Sequence, residues 1–233
     1  LAQARERAAR ERAQRRERAR QHVGVGLRLH GEKVAGEQDE IGIAGHGALA
    51  DGAQAPGLIN VDVTKLGVDA YAASGHKWLL GPKETGFLYL NKNIQTTMPG
   101  FFNSSGFGSY SASSGTRNVA TIIGLGMALE FLNQIGIEKI QAHCIEVRNY
   151  CYEKLKNLNG VRIISLEEAS LSCGIVSFSL SNVSNKDVYT KLNEQGIVVK
   201  LLSSENAIRI SCHVFVSKKD IDKFINALDP LLD

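Results

Sequence analysis

Alternating apolar and polar positions are clearest in the last third of the chain. They predict four strands and two helices in the order strand, strand, helix, strand, strand, helix. The predicted strands are residues 161–166, 174–180, 197–202 and 207–212, and the predicted helices are residues 185–194 and 217–228. Asn185 is the predicted cap of the first helix, and Ser217, with Asp220 three positions later, is the predicted cap of the second. This order is typical of a compact α+β domain in which helices cover a small sheet.

Ahead of this domain, shorter apolar runs alternate with turns. Strands are predicted at residues 48–50, 68–73 and 86–90, and helices at residues 118–134 and 137–158, with Gly136 between the two helices. The second of these helices carries one apolar stripe, made of Ile140, Cys144, Val147, Cys151 and Leu155. Residues 96–118 are rich in Gly, Ser, Phe and Asn, a composition that indicates a functional loop.

The first 45 residues differ in composition from the rest of the chain. Eight arginines and three glutamates occupy the first twenty positions, and almost no apolar face is present there. Three interpretations are open: a nucleic-acid-binding arm, a solvated tail, or foreign sequence such as a fusion or a shifted reading frame. The partly offset charge makes the nucleic-acid arm the weakest of the three, and the break in composition favours the other two. We expect residues 1–45 to be an Arg- and Gly-rich leader that is foreign to the fold.

Composition and cysteine usage exclude several classes of protein. A net charge of +3 over 233 residues is too small to indicate a nucleic-acid surface, and no apolar run is long enough to span a bilayer. The four cysteines form no CxxC pair and have no His/Cys spacing of the kind that binds metal. They indicate reduced thiols, so we expect a cytoplasmic protein without a membrane anchor or a metal site.

Lys77 is the first candidate for chemistry. It follows His76 at the end of the predicted strand 68–73, in a tight loop before a second apolar run. An amine held between buried elements is poorly solvated, which makes it a better nucleophile toward a carbonyl. Such amines form Schiff bases, and pyridoxal phosphate is the usual biological aldehyde. The alternative is a loop lysine that simply extends into water.

Asp51 lies 26 residues before Lys77, at the end of the preceding strand, with Gln54 three residues further on. Adjacent parallel strands of an open α/β sheet place their carboxyl ends on one side, so both side chains can face one small molecule. Pyridoxal chemistry needs this pair, because a carboxylate keeps the pyridine nitrogen protonated. Ser74 and His76 can bind a phosphate. Each also has a structural explanation: Asp51 in a common turn, Ser74 as a loop cap and His76 as a core histidine.

Two motifs at this spacing carry a resemblance to a known family. They are Asp-Gly-Ala-Gln-Ala-Pro-Gly at 51–57 and Ser-Gly-His-Lys-Trp-Leu-Leu-Gly-Pro at 74–82. Residues 46–233 resemble the class V aminotransferases, which are fold type I pyridoxal-phosphate enzymes, and within them the cysteine desulfurase, selenocysteine lyase and isopenicillin N epimerase-like branch. The resemblance implies an α/β fold: a partial large domain with a mostly parallel sheet at 46–135 and a C-terminal α+β small domain at 136–233.

The resemblance also implies roles for the motif residues. Lys77 would form the Schiff base with pyridoxal 5'-phosphate, Asp51 would pair with the pyridinium nitrogen and Gln54 would hydrogen-bond the phenolic oxygen. Ser74 and His76 would hold the phosphate.

Two further residues are implied outside the motifs. Thr116, in Gly-Thr-Arg-Asn at 115–118, would reach the phosphate of the neighbouring subunit of a homodimer, at a helix start where anions are favoured. Arg209 would bind the carboxylate of an amino-acid substrate through its guanidinium group. Without the family, Thr116 is only a helix-start signal, and Arg209 is equally well explained as a strand-edge residue paired with an acid.

The chain departs from the family in two places. Desulfurases carry a catalytic cysteine in the loop before the carboxylate-binding arginine, and residues 202–206 here contain none, while Cys212 follows Arg209 inside a strand. Desulfuration through a persulfide is therefore not expected, which leaves lyase, epimerase or transaminase chemistry. Residues 1–45 also do not resemble the family's opening strands, so we expect truncation at the amino end. The alternative function is a non-catalytic remnant that keeps the small domain and a dimerisation surface.

Overall fold

A computed structural model describes residues 28–30, 49–95, 118–168 and 173–232. It divides the chain into two compact units, Leu1–Gln134 and Ile135–Asp233, and each is described by itself. The elements of the first unit are β1 (Arg28–His30), β2 (Leu49–Asp51), α1 (Val63–Leu66), β3 (Ala70–Ser74), β4 (Gly86–Leu90), α2 (Lys92–Gln95) and α3 (Val119–Ile135). Those of the second are α4 (Ile137–Lys156), β5 (Val161–Ile163), β6 (Ile175–Leu180), α5 (Asn185–Glu194), β7 (Lys200–Leu202), β8 (Ala207–Ser211) and α6 (Lys218–Leu228), followed by a 3-10 turn at Asp229–Leu231.

The first unit contains a four-stranded mixed sheet in the order β1-β2-β3-β4. Strands β2 and β3 are parallel, because the connection between them carries α1 and returns the chain to the same end. Strands β3 and β4 are antiparallel, because the chain reverses through the short loop at 75–85. The predicted α/β class is confirmed. Strand β1 lies within residues 1–45, so three residues of the expected leader pair with β2.

A small apolar cluster supports the parallel pair. Ala50, Leu66, Val68 and Tyr71 are buried together, with α1 covering the connection. Asp62 caps α1 by accepting hydrogen bonds from the backbone N–H groups of Thr64 and Lys65. These contacts fix the distance between the end of β2 and the start of β3.

The second unit is an antiparallel sheet in the order β5-β6-β8-β7 with three helices against one face. Its core includes Val176 and Phe178 of β6 and Ile208 of β8, and the rings of Phe178 and Phe224 of α6 lie 6.3 Å apart. The apolar stripe predicted on the helix from Ile137 is confirmed, because all five of its side chains are buried.

Three local predictions in this unit were wrong. The strand predicted at 197–202 begins only at Lys200. Ser184, rather than Asn185, caps α5: its hydroxyl accepts a hydrogen bond from the Asp187 N–H, whereas Asn185 is buried and accepts one from the Leu180 N–H. The first strand ends at Ile163, because the N–H groups of Ile164 and Ser165 both donate to the Ser177 carbonyl and break the ladder.

Within the described residues, no helix taken singly is long and apolar enough to cross a membrane. The adjoining helices α3 and α4 satisfy that test only when their lengths and compositions are combined.

Candidate functional site

The parallel pairing of β2 and β3 sets the position of the two motifs. Asp51, the last residue of β2, lies opposite Ala72 of β3, and β3 ends two residues later at Ser74. The chain then turns through Gly75 and His76 to Lys77. Both motifs therefore leave the sheet at its carboxyl edge, the edge at which open α/β sheets bind ligands.

Asp51 and Gly52 form a tight turn at the end of β2. The Asp51 carboxylate is half-buried, and its Oδ1 accepts a hydrogen bond of 3.0 Å from the Ala53 N–H. Gly52 donates its N–H to the Ala72 carbonyl, and a Cβ at this position would lie 2.0 Å from the Tyr71 ring. The close approach of Tyr71 explains the glycine, and the turn leaves Oδ2 of Asp51 for a ligand.

Gln54 is joined to the second motif by a side-chain hydrogen bond. The indole Nε1–H of Trp78 donates to Oε1 of Gln54 over 2.8 Å, across 24 residues of sequence. Trp78 is only 3% exposed. The loop after β2 and the loop after β3 are therefore tied together next to Lys77.

The loop that carries Lys77 is closed by its own backbone. Gly75 donates its N–H to the Thr85 carbonyl over 2.7 Å, and Gly81 donates to the Gly75 carbonyl over 2.9 Å. A ring nitrogen of His76, Nδ1, lies 3.2 Å from the same Thr85 carbonyl, and Thr85 Oγ1 donates to the Pro82 carbonyl. These bonds hold residues 75–85 in one conformation.

Strained backbone and close packing occur in the same loop. Leu80 has φ 59° and Glu84 has φ 65°, which side chains rarely adopt. A Cβ on Gly75 would lie 2.6 Å from Thr85 Oγ1 and 3.0 Å from Leu125 of α3. Strain at an otherwise well-bonded loop is a common property of binding sites.

The structure gives the exposure of three of the predicted residues. Lys77 is half-buried, and its amine forms no ion pair or hydrogen bond with another residue in the described parts of the chain. Ser74 is half-buried at the end of β3, opposite Gly86. His76 is exposed, so the alternative of a buried core histidine is wrong.

The two remaining predicted residues lie elsewhere. Thr116 is outside the described residues. Arg209 is in the second unit, on β8, directly between Ser177 of β6 and Lys200 of β7. Its Nε is buried and has no hydrogen-bond partner within the described ranges.

Arg209 lines a cavity of about 520 Å³ at the β7 edge of the sheet. Lys200 and Lys223 also line this cavity, and Asp220 is the one carboxylate among its described lining residues. That carboxylate already accepts hydrogen bonds from the backbone and hydroxyl of Ser217. The cavity therefore suits an anion.

Comparison with known proteins matches residues 38–224 to the family described as aminotransferase class-V. The chain belongs to the class V aminotransferase family. A probable cysteine desulfurase of Halalkalibacterium halodurans is 32% identical over 210 residues, which cover 79% of this chain and 51% of that protein. The chain thus spans about half the length of the curated relatives it matches.

Solved structures with a similar fold agree with this family match. The cysteine desulfurase CsdA of Escherichia coli is 27% identical with a TM-score of 0.65, over 78% of this chain and 50% of that one. A C-DES mutant with glycine covalently linked to its PLP cofactor is 22% identical with a TM-score of 0.64, over 76% and 49%, which supports the fold alone. The predicted cofactor, pyridoxal 5'-phosphate, is confirmed as that of the family.

The residues of this member of the class V aminotransferase family fit that cofactor. Asp51 offers a carboxylate oxygen that its own turn leaves open, and Gln54 offers an N–H because its oxygen is taken by Trp78. Lys77 offers an amine without a competing acid in the described residues. A carboxylate, an amide donor and an amine are the groups that a pyridine nitrogen, a phenolic oxygen and an aldehyde require.

This member of the family has no exposed thiol that could act as a nucleophile. All four cysteines are free and buried in the second unit. Burial raises the pKa of Cys144 to about 12 and also raises the pKa of Cys173. A hydrogen bond with the Cys212 thiol, together with burial, raises the pKa of Cys151 well above its usual value. Buried thiols of high pKa are poor nucleophiles.

Sequence reasoning missed three residues of the site. Trp78 belongs to the second motif and has no predicted role, although an indole N–H needs an acceptor when buried. Gly57 has φ 88° and contacts the Trp78 backbone, and Tyr71 fills the space beside Gly52. The signal for Gly57 was its place in a Pro-Gly turn.

The described residues contain no group of three or more His, Cys, Asp or Glu that could hold a metal ion.

Proposed function

We propose that this protein is a pyridoxal-phosphate-dependent enzyme that acts on an amino acid through Lys77. The observation that carries the proposal is the placement of Asp51 and the Lys77 loop at the same edge of the sheet, at the ends of the parallel strands β2 and β3. When bound, pyridoxal phosphate supplies an electron sink for negative charge at the α-carbon of the substrate.

Each site residue has its own role in the proposed reaction. Lys77 Nζ would hold the cofactor at its aldehyde carbon and would move a proton at the substrate α-carbon. Asp51 holds a proton on the pyridine nitrogen, and Gln54 orients the ring. Ser74 and His76 bind the phosphate.

Substrate binding is assigned to Arg209. A guanidinium group whose Nε is buried without a partner in the described residues gains most from a carboxylate, which takes two parallel hydrogen bonds. The positive lining of the cavity around it favours the same ligand.

The reaction does not pass through a cysteine persulfide. The loop between β7 and β8 contains no cysteine, and the four thiols are buried. We therefore propose lyase, epimerase or transaminase chemistry. The reduced thiols also support the proposed cytosolic location.

We also propose a homodimer in which Thr116 reaches the phosphate of the neighbouring site. Support comes from α3, where large apolar side chains are more than half exposed in the single chain, namely Val119, Ile122, Ile123, Met127 and Phe131. Apolar residues on every side of a helix indicate that it is covered in the working protein.

Reductive trapping tests the proposal. The protein is incubated with excess pyridoxal phosphate, reduced with borohydride and digested, and the modified peptide is identified by mass spectrometry. We expect an absorbance band and a cofactor adduct on Lys77, lost in Lys77→Ala and retained in Lys83→Ala, where the lysine is exposed in the same loop. Absence of an adduct on Lys77 in folded wild-type protein would refute the proposal.

The second candidate is a non-catalytic protein that keeps the small domain and a dimerisation surface. The separate buried core of the second unit supports it. It predicts the same melting temperature with and without pyridoxal phosphate, whereas the enzyme hypothesis predicts a higher one with the cofactor.

A further inference from the structure

We propose that Trp78 is a positioning residue that fixes the carboxamide of Gln54 with its N–H groups toward the cofactor. The inference rests on the proposed function, in which Gln54 hydrogen-bonds the phenolic oxygen of pyridoxal phosphate. It adds a residue whose only polar side-chain atom, Nε1, donates a hydrogen bond to Gln54.

The direction of the hydrogen bond decides the orientation of the amide. An indole N–H only donates, whereas a carboxamide has an oxygen that accepts and a nitrogen that donates. The contact of 2.8 Å from Trp78 Nε1 therefore requires the oxygen of Gln54 on the Trp78 side. The amide nitrogen, Nε2, is then available on the other side.

This orientation is the useful one for the cofactor. A phenolic oxygen that has lost its proton only accepts hydrogen bonds, so it needs the N–H end of the amide. With the amide turned over, two donors would face each other at Trp78 and an acceptor would face the phenolate. Trp78 thus stabilises the productive orientation before the cofactor arrives.

The indole is itself held in place. Trp78 is nearly fully buried. It lies in a turn that is closed by the Leu80 N–H, which donates a hydrogen bond of 3.1 Å to the Lys77 carbonyl. The Gly57 α-carbon packs directly against the Trp78 carbonyl. Since Trp78 follows Lys77 in the chain, the same loop places the amine and orients Gln54.

The test is a double-mutant cycle between Trp78→Phe and Gln54→Leu, in which phenylalanine keeps an aromatic ring and loses the N–H. We measure the affinity for pyridoxal phosphate, the absorption maximum of the bound cofactor and the melting temperature without cofactor. Trp78→Phe is expected to weaken the affinity about five- to tenfold and to shift the absorption maximum. In the Gln54→Leu background the same change should have little further effect.

A merely structural tryptophan would give a different result. The melting temperature would fall, the absorption maximum would stay, and Trp78→Phe would weaken the affinity equally with and without Gln54. That outcome overturns the proposal, as does an unchanged affinity in Trp78→Phe.

A second measurement uses protein without cofactor. Trp78 is the single tryptophan of the sequence, so the fluorescence signal comes from this side chain. Gln54→Leu should shift the emission to shorter wavelength, because the indole N–H loses its acceptor. The control Gln95→Leu removes an amide that bonds the Leu90 carbonyl and should leave the emission unchanged. An unshifted emission in folded Gln54→Leu contradicts the proposal, whereas a missing adduct on Lys77 contradicts only the proposed function.

Discussion

Gly57 lies against the peptide group that joins Trp78 to Leu79. A Cβ on Gly57 would come within 2.3 Å of the Trp78 carbonyl oxygen and 2.8 Å of the Leu79 nitrogen. Gly57 also has φ 88°, in the region that favours glycine. The end of the first motif and the centre of the second are therefore in backbone contact, and that contact sets the distance between Gln54 and the Lys77 loop.

Gly57→Ala is expected to lower the free energy of unfolding of the first unit by about 1–3 kcal/mol, because it adds both backbone strain and a clash with backbone atoms. Urea unfolding followed by Trp78 fluorescence measures the effect. The matched control is Gly126→Ala on α3, where a Cβ would meet no atom within 4 Å. The control should be neutral or stabilising by up to about 1 kcal/mol. Equal effects of the two substitutions would contradict the contact.

Tyr71→Phe is expected to stabilise the protein. The Tyr71 hydroxyl is buried without a hydrogen-bond partner in the described residues, and such a group costs about 1–3 kcal/mol. Removing it should raise the free energy of unfolding at pH 7 by about 1 kcal/mol. Tyr89→Phe, on the neighbouring position of β4, is the control and should change little. Destabilisation by Tyr71→Phe would show that the hydroxyl has a partner.

The pH dependence of the same variant follows from the pKa of Tyr71. Burial, and after it the negative charge of Asp51, raises this pKa above its usual value of 10.0. The unfolded chain therefore ionises Tyr71 at a lower pH than the folded protein does. As a result, the free energy of unfolding of the wild type falls as the pH rises above about 10. We expect the advantage of Tyr71→Phe over wild type to grow from pH 7 to about pH 11 in urea titrations. A constant difference would contradict the assigned pKa.

Local signals allowed part of the fold to be predicted. Helix α5 and strand β4 have the predicted bounds, and α6 is capped by Ser217 and Asp220, because periodicity and capping depend on neighbouring residues. The choice between Ser184 and Asn185 could not be made in the same way. Both residue types cap helices, and the outcome depended on the Leu180 N–H, which only the folded sheet brings close to Asn185.

The site was predictable only as far as its motifs. The spacing of Asp51 and Lys77 implied two strand ends, and the parallel register places them at one edge. The bond between Gln54 and Trp78 joins side chains in two different loops, and no periodicity indicates such a pair. The exposure of α3 was hidden for another reason: a helix with apolar residues all round has no single face from which burial can be predicted.

Thiol labelling tests the absence of a reactive cysteine. With all four thiols buried, and the pKa of Cys144 raised to about 12, we expect no fast reaction with a disulfide reagent at pH 8. Unfolding in urea should release four reactive thiols, the full number in the sequence. Ser204→Cys places a thiol on the exposed hairpin between β7 and β8 and should add one fast-reacting group. Fast labelling of a native cysteine in wild type would reopen persulfide chemistry.

Sedimentation velocity tests the proposed homodimer through α3. Ile123 and Met127 are 59% and 66% exposed in the single chain, one helical turn apart. If a second subunit covers them, the double substitution to glutamate buries two charges in an apolar interface and should weaken the dimer by about 2 kcal/mol or more. Asn133→Glu introduces a charge at an exposed polar position of the same helix and should leave the sedimentation coefficient unchanged. A monomeric wild type, or a double variant that still sediments as a dimer, would contradict a dimer interface formed by α3.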